Sequence, residues 1–178
     1  MINHYPEIPP RTKPFKRAIN KVVLFVLGRA LQSLSKADPL IRAETATWPE
    51  GFTLAMLVKP KGGSMAVRRM PDLSLKYLGS QFLNDEADVT IYINEVESAF
   101  KMFTGQLGSD VAYARHSISA KGDLSYTVSV VRVINVVEAY LFPRLISRGL
   151  MKEPPPIPWG RRQSLRLKTY LLGILFGI

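Results

Sequence analysis

The sequence predicts one folded domain that contains both strands and helices, and three observations carry this prediction. The 178 residues are 47% hydrophobic and 21% charged, which is typical of a globular chain rather than a disordered one. Residues 52–93 contain short apolar runs separated by turn residues, as β-strands do. Residues 15–34 and 95–104 instead carry apolar side chains at helical spacing.

The charge is concentrated at the two ends of the chain. Residues 1–36 and residues 144–178 each carry seven Lys/Arg and one Glu, whereas residues 37–143 carry ten basic and twelve acidic residues. Basic ends of this kind predict contact with phosphate, on nucleic acid or on anionic lipid, with a solubilising surface as the alternative. The absence of cysteine excludes disulfides, zinc thiolate sites, iron–sulfur clusters and thiol nucleophiles.

Residues 1–45 are predicted to form a basic arm followed by an amphipathic helix. The less apolar face of this helix combines Arg17 and Lys21 with the large apolar residues Leu24 and Phe25. Large apolar side chains among positive charges are typical of a helix that lies on a membrane. A core helix with a wide buried stripe is the alternative.

The central segment is predicted to alternate between strands and short helices. A loop at residues 59–63, rich in Gly and Pro, joins the first two strands as a hairpin. The predicted strands are residues 52–58, 64–70, 73–78, 87–93 and 118–121, and the predicted short helices are residues 95–104 and 109–115.

The pattern after Asp123 leaves two interpretations open. Residues 124–130 alternate between apolar and polar side chains, which favours a strand. Residues 130–142 are apolar with polar residues at steps of three, which favours a helix, and Asp123 is a suitable N-cap.

Residues 151–178 are predicted to be a proline-rich linker and a basic, apolar tail. The apolar run at 170–178 is shorter than the about 20 residues that span a bilayer, so it is expected to enter a membrane interface, pack on the domain or join a partner. The residues predicted to contact a membrane are Arg17, Lys21, Leu24, Phe25, Arg161, Arg162, Arg166, Leu171, Leu172, Leu175 and Phe176.

The sequence offers no constellation for catalysis. It has two histidines, no Gly-x-Ser-x-Gly motif and no glycine-rich phosphate loop, so no catalytic or metal-binding residue is predicted. Nucleic-acid binding is disfavoured because the basic residues at both ends neighbour aliphatic runs rather than interleaved aromatics.

Four short motifs follow one another within residues 87–142. They are Ala-Asp-Val-Thr-Ile at 87–91, Thr-Gly at 104–105, Ala-Tyr-Ala at 112–114 and Lys-Gly-Asp at 121–123, the last leading into a long apolar segment. In order and spacing this region resembles the sterol carrier protein type 2 family of lipid-binding domains.

The resemblance implies an α+β fold within residues 46–150. A sheet of about five strands would be covered on one face by helices, and a hydrophobic tunnel would lie inside the domain. The segment after Asp123 would be a helix. Among bacterial proteins the chain looks most like the small lipid-carrier accessory proteins of ubiquinone biosynthesis.

The expected function is that of a carrier that performs no chemistry on its ligand. It would bind an apolar chain (a polyprenyl quinone intermediate, a fatty acyl chain or a similar lipid) and would need no cofactor besides that ligand. It would be cytoplasmic and peripheral, docking on the anionic inner face of the membrane beside partner enzymes of lipid or quinone synthesis. The alternative is a structural or interaction subunit of a membrane-associated complex that uses the basic ends and the apolar tail.

The residues predicted to bind the lipid lie on two of the predicted helices. In sequence a pocket-lining residue looks like a core residue, so the alternative is that they fill the core. They are Phe100, Phe103, Val130, Val133, Ile134, Val137 and Leu141.

Overall fold

The computed structural model describes residues 13–80, 87–141 and 159–170, which form a five-stranded sheet and six helices. The predicted arm at 1–12, the linker at 151–158 and the end of the tail at 171–178 lie outside the described residues. In chain order the elements are α1 (Pro14–Ala37), α2 (Pro39–Thr45), β1 (Thr53–Val58), β2 (Gly63–Arg69), β3 (Leu75–Gly79), β4 (Val89–Ile93), α3 (Val96–Phe103), α4 (Ser109–Ala114), β5 (Ile118–Gly122), α5 (Leu124–Leu141) and α6 (Trp159–Lys168).

The sheet is mixed, with strand order β3-β2-β1-β4-β5. Strands β1 and β4 run parallel, and every other neighbouring pair is antiparallel. All five strands and the hairpin loop at 59–63 confirm the prediction to within two residues at each end. The α+β class with a five-stranded sheet is therefore the architecture of this chain.

One face of the sheet supplies the strand side of the core. Side chains alternate between the two faces of a strand, so Leu54, Met56 and Val58 on β1 share a face with Ile91 and Ile93 on β4. All five are buried, and the helices pack over this face.

Helix α1 covers the β2–β3 half of the sheet. Its side chains Leu24, Leu27, Leu31 and Leu34 are almost completely buried in the same core as the sheet. The close approach depends on Gly28, because a Cβ there would lie 2.5 Å from Cε2 of the Tyr77 ring.

The edge strand β3 is bonded by side chains of α1. The backbone N–H of Leu75 donates to Oγ of Ser35 at 2.8 Å, and the N–H of Tyr77 donates to Oε1 of Gln32 at 2.8 Å. An edge strand presents unpaired N–H groups, and these two contacts satisfy a pair of them while fixing α1 on the sheet.

Helix α2 was not predicted, although its N-terminal signals are present in the sequence. Asp38 is extended and ends α1, and its Oδ1 accepts the N–H of Leu40 at 2.7 Å. Pro39 occupies the first helical turn, where its missing N–H costs nothing. The short length of α2, seven residues, left too little periodicity to detect.

Helix α5 resolves the ambiguity after Asp123 in favour of a helix. Oδ1 of Asp123 accepts the N–H groups of Ser125 at 2.8 Å and Tyr126 at 3.2 Å, as predicted for an N-cap. By length and composition alone, this 18-residue helix could also cross a membrane. Half of it is buried inside the fold, where it packs against α1, α2 and α6, as a core helix does.

Candidate ligand-binding pocket

A cavity of about 160 Å³ lies between the β1–β4–β5 part of the sheet and the helices α3, α4 and α5. Its wall is mostly apolar. The lining residues are Met56, Ile91, Ile93, Met102, Phe103, Tyr113, Ile118, Ser119, Ala120, Thr127, Val131, Ile134, Asn135 and Glu138.

The sheet side of the cavity follows from strand register. Ile91 pairs with Met56 on one side and with Ala120 on the other, so the three side chains form a row on one face. Ile93 and Ile118 form the next row. The small side chain of Ala120 leaves space at the β5 end of the first row.

The helix side follows from the spacing of residues on α5. Apart from the adjacent pair Ile134 and Asn135, the lining residues of α5 are three or four residues from the next, so they share one face. They are Thr127, Val131, Ile134, Asn135 and Glu138. At 1.5 Å per residue, the lining positions extend about 16 Å along the helix axis. The opposite face of α5 packs on α1 and α2.

The cavity opens to solvent between α4, β5 and α5. Tyr113 and Val131 line it while remaining 71% and 44% exposed. Leu124, Val128 and Val111 are also exposed and lie on the same two helices, α4 and α5. We call these five residues the mouth rim; Tyr113 and Val131 line the cavity, and the other three are exposed residues of the same two helices. Other lining residues, among them Ile93 and Phe103, are buried.

The structure brings two of the seven predicted lipid-binding residues into the cavity, Phe103 and Ile134. The other five do not line it. Phe100 is half-buried, with its ring 5.0 Å from Nζ of Lys16. Val130, Val133, Val137 and Leu141 are buried in the core on the far side of α5, since this helix has two apolar faces and only one lines the cavity.

The lining residues that the prediction missed come largely from the strands. The alternation of Val89, Ile91 and Ile93 was visible in the sequence and could have placed Ile91 and Ile93 on the wall. Asn135 and Glu138 carried a second signal, because they are polar residues three apart within an apolar segment. Met56 and Met102 gave no signal that separates a pocket wall from a core.

Among the predicted membrane-contact residues, the assignment of Leu24 is contradicted by its burial. Its side chain is 0% exposed and faces the sheet, because α1 is a core helix. Lys21 and Phe25 are exposed, and Arg17 and Arg166 are half-buried. Arg161 and Arg162 lie on α6, but their side chains are not described. Leu171, Leu172, Leu175 and Phe176 lie outside the described residues.

Glu138 is the one acidic residue among the lining residues described. Burial in the apolar wall raises the pKa of its carboxyl group to about 7. Within residues 13–80, 87–141 and 159–170, no hydrogen bond or ion pair satisfies this carboxyl group. A titratable group with a shifted pKa in an apolar cavity is a candidate functional group.

No protein-family model matches this chain, and no curated protein matches it. Solved structures do match. "UbiJ-SCP2 Ubiquinone synthesis protein" is 16% identical over 70% of this chain and 100% of its own, with a TM-score of 0.44. "Sterol Carrier Protein 2 from Yarrowia Lipolytica (apo form)" is 12% identical over 70% and 94%, with a TM-score of 0.45. The sterol carrier protein domain 2 of Helicoverpa armigera is 13% identical over 75% and 97%, with a TM-score of 0.42. This chain is thus similar to sterol carrier protein 2 structures.

Proposed function

We propose that the protein is a non-enzymatic carrier that holds part of an apolar molecule in the cavity between α5 and the sheet. The observation that supports this most directly is the cavity itself, which is walled by Met, Ile, Val and Phe and is open on one side. Apolar concave sites with a few polar groups are the usual form of a small-molecule site. Each buried CH₂ group of a ligand would contribute about 0.8 kcal/mol.

The size of the cavity bears on what it holds. At about 160 Å³ it is smaller than the roughly 300–1,000 Å³ typical of sites that enclose a drug-sized ligand. A long hydrocarbon would therefore place one segment inside and extend the remainder through the mouth rim. The exposed apolar side chains of Leu124, Val128 and Val131 would cover that remainder.

A filled cavity tests the carrier function. Ala120 lines the cavity on a solvent-accessible strand, so Ala120→Phe should occupy it without disturbing the buried core. Ala43→Phe, at an exposed position on α2, is the matched control. Binding of a fluorescent fatty-acyl probe should weaken at least tenfold in Ala120→Phe and remain unchanged in Ala43→Phe. Equal binding in both variants would contradict the proposal.

We further propose that the protein docks on an anionic membrane with the mouth rim against the lipid. The support is the exposure of apolar residues on α4 and α5, two of the helices that line the cavity, together with a net charge of +10. Docking in this orientation would let a chain enter the cavity without crossing water, and each Lys or Arg near the surface would add about 1 kcal/mol. The prediction from sequence had instead placed the contact on α1, through residues that include Phe25, and on the tail at 161–176.

Vesicle flotation distinguishes the two surfaces. Leu124→Asp together with Val128→Asp should abolish binding to phosphatidylserine vesicles at low salt if the mouth rim makes the contact. Phe25→Asp on α1 is the comparison, and loss of binding in that variant alone would favour the α1 surface. Unchanged binding in both variants would argue against docking through either.

The ubiquinone pathway is the specific setting that we propose for this carrier. The support is the motif series at 87–123, whose order resembles the sterol carrier protein type 2 family, together with the likeness of the chain to the bacterial lipid-carrier accessory proteins of ubiquinone biosynthesis. The ligand would be a polyprenyl quinone intermediate, the partners would be enzymes that modify it, and the site of action would be the cytoplasmic face of the membrane. Deletion of the gene in its host should lower ubiquinone content while leaving membrane phospholipids unchanged.

A further inference from the structure

Two of the polar residues that line the cavity lie on α5, toward its C-terminal end. Asn135 and Glu138 are three residues apart on the lining face, so their side chains are neighbours. Glu138 lies about 10 Å farther along the helix axis than the exposed rim residue Val131. Asn135 and Glu138 therefore form a polar patch in the cavity wall, away from the rim residue Val131.

The charges around Glu138 do not explain its presence. Arg132, also on α5, directs its guanidinium group to Oε1 of Glu44 on α2, at 3.5 Å. Tyr113 on α4 is the other titratable group among the lining residues described. Glu138 is half-buried, and no described residue occupies its carboxyl group, so the carboxyl group is available to a ligand that enters the cavity.

The volume of the cavity suits a single ring. An apolar cavity of about 150 Å³ is large enough to bind benzene, and this one has about 160 Å³. The side chains of Met56, Ile91 and Phe103 provide the apolar wall around such a ring. A ring inside the cavity would leave an attached hydrocarbon tail to pass through the mouth.

We propose that Asn135 and Glu138 form a subsite that binds the hydroxyl group of an alkylated phenol and rejects a carboxylate in the same place. The proposal rests on the proposed carrier function and names the class of head group that the carrier selects. A phenolic O–H would donate to the carboxylate of Glu138, and the amide of Asn135 would complete the polar contacts of the oxygen. Hydrogen bonds to an ionised acceptor are stronger than neutral ones, whereas two carboxylates at one site repel each other.

Three ligands with the same tail test the subsite. Dodecylphenol, dodecylbenzene and dodecylbenzoic acid differ only in the group at the ring. At pH 8, dodecylphenol should bind the wild-type protein about tenfold more tightly than dodecylbenzene, as a hydrogen bond to a charged group allows. Dodecylbenzoate should bind more weakly than both. Equal affinity for the three ligands would overturn the subsite.

Variants at two positions identify the residues responsible. Glu138→Leu should abolish the preference for the phenol, and Glu138→Gln should raise the affinity for dodecylbenzoate at least fivefold because the repulsion is gone. Asn135→Leu is an independent variant that should also weaken the preference. Glu50→Gln, at an exposed position outside the cavity, is the matched control. Retention of the wild-type selectivity in both Glu138 variants would overturn the proposal.

The same measurements separate the subsite from the carrier function. If dodecylbenzene binds as tightly as dodecylphenol and Ala120→Phe blocks both, the cavity is a carrier site and the subsite proposal fails. If none of the three ligands binds to the wild-type protein, the carrier function fails as well.

Discussion

Trp48 and Ser129, which are 81 residues apart in sequence, are joined by a buried hydrogen bond. Nε1 of Trp48 donates to Oγ of Ser129 at 2.8 Å, and the same hydroxyl group donates to Oε2 of Glu44 at 2.9 Å. This chain of contacts holds α5, the helix that forms one wall of the cavity, against α2 and the segment that leads into β1.

Removal of the Ser129 hydroxyl group should destabilise the fold. Ser129→Ala leaves the indole N–H of Trp48 buried without a partner, which costs about 1–3 kcal/mol of unfolding free energy. Ser125→Ala, at an exposed position on the same helix, should cost less than about 0.5 kcal/mol. Urea denaturation monitored by tryptophan fluorescence measures both. Equal stability of the two variants would show that the contact contributes nothing.

A methyl group at Gly28 should disturb the packing of α1 on the sheet. Gly28→Ala places its Cβ 2.5 Å from the Tyr77 ring, and the resulting overpacking is expected to cost about 1–3 kcal/mol. The control is Gly160→Ala on α6, where a Cβ meets no atom within 4 Å. Combining Gly28→Ala with Tyr77→Leu should recover part of the loss, as thermal denaturation would show. Additive losses in the double variant would contradict the proposed clash.

Glu138 should make the protein less stable as the pH rises. Its pKa is about 7 in the folded chain and 4.5 as the ordinary value, so the folded state binds more protons between these limits. The free energy of unfolding therefore falls between pH 4.5 and 7, by a contribution on the order of 3 kcal/mol, and is constant above. Glu138→Gln should remove this dependence. Parallel pH profiles of wild type and variant in urea denaturation would argue against burial of the charge.

Glu97 should have the opposite dependence on pH. Its carboxylate accepts hydrogen bonds from Nζ of Lys13 at 2.7 Å and Nζ of Lys16 at 2.6 Å, which connects α3 to the start of α1. These contacts lower its pKa to about 2. The folded state then binds fewer protons, so the contribution to stability is present above pH 4.5 and is lost as the pH falls toward 2.

The free energy of unfolding measured as a function of pH tests this prediction in its acidic part, the acid limb of the profile. Glu97→Gln should have a shallower loss of stability between pH 4.5 and 2 than the wild type, and 0.5 M NaCl should weaken the difference because the pair is near solvent. The control is Glu50→Gln, which removes an exposed carboxylate and should leave the acid limb unchanged. An identical acid limb in wild type and Glu97→Gln would contradict the role of the ion pairs.

The sequence predicted the positions of strands and helices better than it predicted which side of each element is buried. The alternation in β4 and the Asp123 cap are local signals, and both strand and cap are present in the structure. The direction in which α1 faces is not local. Leu24 was predicted on the membrane-facing side of the helix but is buried, because packing on β2 and β3 decides the orientation.

The cavity was harder to predict than the fold for the same reason. Its wall draws on three strands and three helices, so no single periodicity identifies it. Val130 and Val131 are adjacent in sequence and equally apolar, yet the first is buried in the core and the second lines the mouth. The side of α5 that faces the cavity depends on how the helix packs on α1 and α2.

The composition of an organic extract of the purified protein tests the carrier function most directly. Mass spectrometry should find a hydrophobic molecule in a fixed ratio to the wild-type protein, retained in Ala43→Phe and lost in Ala120→Phe. A wild-type protein that yields no such molecule, and that also fails to take up an added alkylphenol, would contradict the account. So would equal amounts of the molecule in the wild type and in Ala120→Phe.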